Sequence, residues 1–127
     1  MRNHDRDPLG EIELFQYLAE QIEAIRTFTA GFDEDGFLRN DLVKNASLMK
    51  LIVLGEYSAH VDERLKIRFS EVEWQHIKAA RNYYAHVYNG IDWRMVWEVI
   101  DQQISPLKLK IEHIIEVLEK ENNGKTN

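Results

Sequence analysis

The chain has 127 residues, 44% hydrophobic and 30% charged, with a formal net charge of −6. That is long and apolar enough for a core of its own and too apolar for a disordered chain, and its acidity excludes a protein that coats nucleic acid non-specifically, since phosphate neutralisation needs a basic surface. Cysteine is absent, which removes disulfides and thiolate metal sites and is compatible with a reducing compartment.

Met1 to Asp7 is polar and leads into an amphipathic segment, unlike a secretory signal, and no apolar run approaches the roughly 18 residues of a membrane span. A cytoplasmic protein with no membrane partner is the expectation. Strand signals are nearly absent, while helical spacing recurs throughout. Asp7-Pro8 opens a first helix as N-cap and first-turn proline. Phe15, Leu18, Ile22 and Ile25 form its stripe, and Gly31 stops it. Gly31 to Asn40 reads as a loop with one short turn around Phe37-Leu38.

A second helix is expected from about Asp41 to Asp62. Leu42, Ala46, Met49 and Val53 mark one stripe, and Leu48, Leu51, Ile52 and Leu54 thicken it, so this helix should be packed on several sides. Gly55 weakens it by roughly 1 kcal/mol relative to alanine, and close approach of another helix is the compensating benefit. Ser70-Glu71-Val72-Glu73 matches a capping box, opening a third helix through Trp74, Ile77, Ala80 and Tyr84 to Asn89-Gly90. Asp92 caps a fourth, with Trp93, Val96, Trp97 and Ile100 on one face. Ser105-Pro106 starts the last, with Leu107, Ile111, Ile114 and Leu118 as its stripe. The expected fold is all-α, an up-and-down bundle of four to five helices forming one domain over 1–127, with a core of about 8–120 and a frayed tail from 121 to 127.

Three familiar chemistries are set aside. The six glycines form no phosphate-binding loop, His76 and His86 are too far apart for a helical metal pair, and no serine sits in a nucleophile elbow. The segment Arg81-Asn82-Tyr83-Tyr84-Ala85-His86-Val87-Tyr88 remains. Metal-free RNA cleavage needs a base for the ribose 2′-hydroxyl, an acid for the leaving oxygen and a cation for the phosphate. Histidine titrates near neutrality, and arginine presents forked donors that match phosphate oxygens. On an unbroken helix Arg81 and His86 point about 140° apart, whereas Asn82 and His86 share a face. Convergence on one phosphate then needs the reach of arginine, a distorted helix end or a second copy of the chain. From Arg64 to Arg81 there are five basic residues (Arg64, Lys66, Arg68, Lys78, Arg81) against Glu71 and Glu73, a local sign opposite to that of the whole.

The pattern Arg81, His86 and Tyr88, with Asn82 after the arginine, resembles the HEPN superfamily, specifically HepT-like toxins. Ile52-Val53-Leu54-Gly55-Glu56, Trp74, Gly90-Ile91-Asp92 and Val96-Trp97 stand in register with it. The likeness runs from about Ile12 to Leu118, departing where Lys66 to Glu73 lacks the proline common in relatives. It implies a homodimeric toxin that cleaves RNA with no metal and no cofactor, with Arg81 and His86 from both copies lining the cleft and Asn82 in support. It also implies a minimal nucleotidyltransferase antitoxin that transfers AMP onto Tyr88.

Plainer readings stand beside these. Arg81 and His86 are open to structural roles, Asn82 to capping a neighbouring turn, and Tyr88 to packing at a helix end. Glu56 reads as a solvated glutamate, with pairing to Arg81 as the alternative. The Lys44 to Arg68 charges read as a solvated face, Trp74, Trp93 and Trp97 as core, and His60 and His76 as bystanders. For the whole protein, the rivals are a non-catalytic nucleotide- or substrate-binding partner of a nucleotidyltransferase and a scaffold with an eroded site.

Overall fold

Residues 8–87 and 89–125 are described by the computed structural model. Among them there are seven helices and no strand: α1 (Pro8–Thr29), α2 (Glu34–Leu38), α3 (Asp41–Ala59), α4 (Glu63–Arg68), α5 (Trp74–His86), α6 (Trp93–Gln102) and α7 (Ile104–Lys125). The five longer helices correspond to the five expected, α2 is the short turn expected around Phe37-Leu38, and α4 is an addition. The N-cap expected at Asp7 lies outside the described residues.

The three-and-four spacing of α1 has the expected effect. Phe15, Leu18, Ile22 and Ile25 are wholly buried, facing α3 on one side and α7, through Ile111 and Ile114, on the other. Thr29 ends α1 and Gly31 follows at φ +82°, a left-handed turn that glycine adopts without strain. The Asp33 side chain accepts from the Gly36 amide to cap α2, and Asn40 caps α3 through the Val43 amide. Phe37 of α2 is fully buried, with the Trp93 and Trp97 rings of α6 packed on it at 6.5 and 5.2 Å. Both tryptophans are half-buried rather than enclosed.

The second helix is shorter than its spacing suggests. It ends at Ala59 with His60 as C-cap, and Asp62, accepting from the Arg64 amide, starts α4. The break lets Val61, Leu65 and Phe69 all turn inward. The capping box at Ser70 is not formed: Ser70 lies in a turn, α5 begins at Trp74, and Glu73 stands at its N-cap with no side-chain capping bond. Burial of Val72 and a bond from the Trp74 indole N–H to the Phe69 carbonyl (3.1 Å) hold this turn instead. α5 stops at His86 rather than at Asn89-Gly90. Asp92 caps α6 through the Arg94 and Met95 amides, as expected.

α7 starts at Ile104, which puts Pro106 inside the first turn, where its missing N–H costs nothing. It continues to Lys125, so residues 121–125 are helical rather than frayed, and Arg68 grips Glu121 through Nη1 and Nη2 of its guanidinium. Arg64 binds Glu11 at 2.5 Å, and Lys44 pairs with Asp41 while lying over the Trp93 ring. These basic residues brace the fold and are not a merely solvated face. Leu42 and Met49 break the other way: at 79% and 58% exposure they lie outside the core, because α3 buries the opposite side, through Ser47, Leu51, Leu54 and Ser58. No described helix is long and apolar enough to cross a membrane.

Candidate active site

α5 packs on α3, and Gly55 is the point of closest approach. A Cβ there would lie 2.4 Å from Arg81 Cβ and 2.6 Å from Arg81 Cγ, so no larger residue fits without moving α5. The arginine therefore leaves its own helix directly over α3. The next residue on α3 is Glu56, whose Oε1 accepts from Arg81 Nη1 at 2.7 Å. Glu56 thus takes the alternative reading, pairing with Arg81, while its side chain stays about half exposed to solvent. Arg81 Nε is buried with no acceptor.

His86 is the last residue of α5 and is exposed. Its Nδ1 lies 2.7 Å from the Asn82 carbonyl oxygen. A carbonyl can only accept, so Nδ1 carries the proton and, in the neutral ring, Nε2 is the free acceptor. The Asn82 backbone thus orients the imidazole, while the Asn82 side chain is exposed. A histidine in the last turn is also well placed against the negative end of the helix dipole.

Within one chain Arg81 and His86 are not joined. No hydrogen bond or ion pair links them among the described residues; Arg81 is turned to α3, and His86 lies away from it at the helix end. Tyr88 lies outside the described residues. Tyr83 was not singled out from sequence, yet its hydroxyl donates to the Gly90 carbonyl at 3.5 Å and accepts from the Asp92 amide at 3.4 Å. These bonds tether Gly90 and Asp92 to α5. A tyrosine whose partners lie seven and nine residues further on carries no signal of its own in the sequence. Among the described residues no three histidines or carboxylates converge as metal ligands.

Helix order and motif placement define an all-helical protein whose exposed histidine and clamped arginine share one short helix. The Ribonuclease HepT-like family model matches residues 18–114, and the chain belongs to that family. It is 30% identical over 114 residues to a Thermococcus cleftensis protein named "Probable ribonuclease HepT", covering 90% of this chain and 98% of that one. It is 25% identical over 103 residues to a Methanocaldococcus jannaschii protein named "Putative RNase", covering 80% of this chain and 94% of that one. No solved structure matches.

Proposed function

We propose that this protein is a metal-independent endoribonuclease, the toxin of a toxin–antitoxin pair, and acts as a homodimer. The observation that carries the reading is His86: exposed at the end of α5, with Nδ1 bound to the Asn82 carbonyl and Nε2 free. The names of the relatives support RNA as the substrate. Nε2 takes the proton of a ribose 2′-hydroxyl, and O2′ attacks the adjacent phosphorus. The P–O5′ bond breaks, leaving a 2′,3′-cyclic phosphate and a 5′-hydroxyl that takes its proton from an imidazolium. Arg81 neutralises the charge that builds on the non-bridging oxygens. Asn82 supports the site by holding the imidazole.

A homodimer is supported by what one chain leaves undone. Arg81 and His86 look to different sides, and α3, on which α5 packs, exposes Leu42 and Met49. A two-fold contact over this side would cover that apolar surface and bring the His86 of one copy toward the Arg81 of the other. Regulation falls to Tyr88, two residues from His86. Its hydroxyl attacks the α-phosphorus of ATP held by a minimal nucleotidyltransferase, releasing pyrophosphate. The resulting phosphodiester brings negative charge and bulk to where an RNA phosphate must bind.

His86→Ala tests the chemistry. Cleavage of labelled RNA should fall ~10²–10⁴-fold, while urea unfolding stays within about 0.5 kcal/mol of wild type. Equal cleavage by the variant would end the reading. Mass spectrometry of protein made with its nucleotidyltransferase tests the rest: a dimer under native conditions, and AMP increments that vanish in Tyr88→Phe. A monomer sinks the composite site, and an adduct that survives the substitution sinks Tyr88 as acceptor.

A further inference from the structure

The fold sorts the five basic residues that the sequence groups between Arg64 and Arg81. Arg64 is committed to Glu11 of α1 and Arg68 to Glu121 of α7. Lys66, Lys78 and Arg81 are left, and all three line one cleft where α3, α4 and α5 meet, with Gly55 and Ser58 among its other walls. Among the described residues neither lysine has an ion-pair partner. Glu63 is the one carboxylate lining the cleft. On a chain of net charge −6, this is a local excess of positive charge inside a concavity, the arrangement that focuses a field on an anion.

Arg81 adds an independent observation. Its Nη1 is taken by Glu56, but its Nε is buried without an acceptor, and a buried unpaired donor is unfavourable. A small rotation of the guanidinium toward an acceptor arriving in the cleft would satisfy it. The cleft encloses about 150 Å³, below the ~300–1,000 Å³ of pockets that hold whole small molecules. It suits a single phosphate group rather than a nucleotide.

We infer that the α3–α4–α5 cleft is a subsite for a backbone phosphodiester of the RNA strand, flanking the linkage that is cut, with Lys66 and Lys78 as its cations and Arg81 at its border with the reacting phosphate. The inference rests on the RNA-cleaving reading and adds two residues that touch the strand without taking part in bond breaking.

The test measures binding of a short fluorescein-labelled 2′-O-methyl RNA, which has no free 2′-hydroxyl and cannot be cut. The Lys66→Gln/Lys78→Gln protein should bind it roughly tenfold more weakly, with a salt slope shallower by about 0.7, the share of the one phosphate the cleft holds. Lys50→Gln/Lys120→Gln, with the same change of net charge elsewhere on the surface, should stay within about twofold. On cleavable RNA the cleft variant should show a raised KM and a kcat within about threefold of wild type, the signature of lost uniform binding. Equal losses in the two double variants, or an unchanged salt slope, overturn the subsite. So does a fall in kcat with KM unmoved, which would put the lysines in the chemistry. If cleavage in those cases still depends on His86, the ribonuclease reading survives alone. If wild type neither binds nor cuts RNA, both fall.

Discussion

The two sides of α3 are built by different means. On one side α1, 22 residues long, presents Phe15, Leu18, Ile22 and Ile25 with no exposed surface and meets an equally long α7. On the other, α5 is 13 residues long and buries only Trp74 and Tyr84, with Ile77, Ala80 and Tyr83 partly buried, and it meets α3 at a glycine contact and an ion pair. A cavity of about 200 Å³ separates it from the α6–α7 corner, with Ile77 and Ala80 on one wall and Val99 and Leu107 on the other. The first side is a repeated apolar interlock in which every turn contributes. The second is a helix positioned at a few points, and it carries Arg81, Asn82 and His86. Stability and chemistry are thus assigned to different contacts, and functional elements are commonly drawn from the less stable part of a fold.

Paired substitutions should separate the two. Phe15→Ala removes a fully buried ring, which also meets Trp74 edge-on at 6.2 Å. It should cost about 3–5 kcal/mol in urea unfolding, while cleavage per folded molecule stays near wild type. Gly55→Ala should do the reverse. The new methyl meets Arg81 Cβ, which is fixed to the backbone and cannot swing aside. Overpacking of this kind costs about 1–3 kcal/mol, against a gain of up to about 1 kcal/mol in helix propensity. The net loss should be about 0–2 kcal/mol, smaller than for Phe15→Ala, but α5 must shift, and cleavage should fall at least about tenfold because a misplacement near 1 Å can cost ~10² in rate. Full activity in Gly55→Ala would show that the Arg81 position is not set by this contact, and the contrast between the two sides would dissolve.

The same division governs what could be read from the chain. The α1 stripe, the Gly31 stop, the Asp92 cap and the close approach at Gly55 are local or periodic signals, and each stands where it was expected. α4 was missed although Asp62 and the basic residues Lys66 and Arg68 bracket it as caps do. A six-residue helix completes too few turns for periodicity to register. Ser70 matched a capping pattern, yet burying Val72 and Phe69 together required a turn at that point, and tertiary packing outweighed a single cap. Leu42 and Met49 share helical spacing with residues that are buried, and periodicity gives a face without saying what covers it. Glu56 was legible only as a candidate, since a pairing 25 residues apart depends on how two helices meet. The family motif located the site segment, but the opposed facings of Arg81 and His86 follow from the helix itself.

Tyr84 offers the gentlest probe of the loosely packed side. It is buried on the inner face of α5 and lines the cavity toward α6 and α7. Burial, and secondarily the neighbouring Tyr83, hold its phenol pKa above the ordinary value near 10. The unfolded chain releases this proton near pH 10, where the folded protein still holds it, so the contribution is present below that pH and is lost as pH rises through the folded value. Unfolding free energy measured in steps from pH 9 to 11 should therefore fall more steeply for wild type than for Tyr84→Phe, with the two curves parallel below pH 9. Every other group is common to both proteins and cancels in the difference. Parallel curves throughout would mean that water reaches the hydroxyl through the cavity, and that this face of α5 is packed still more loosely than its burial indicates.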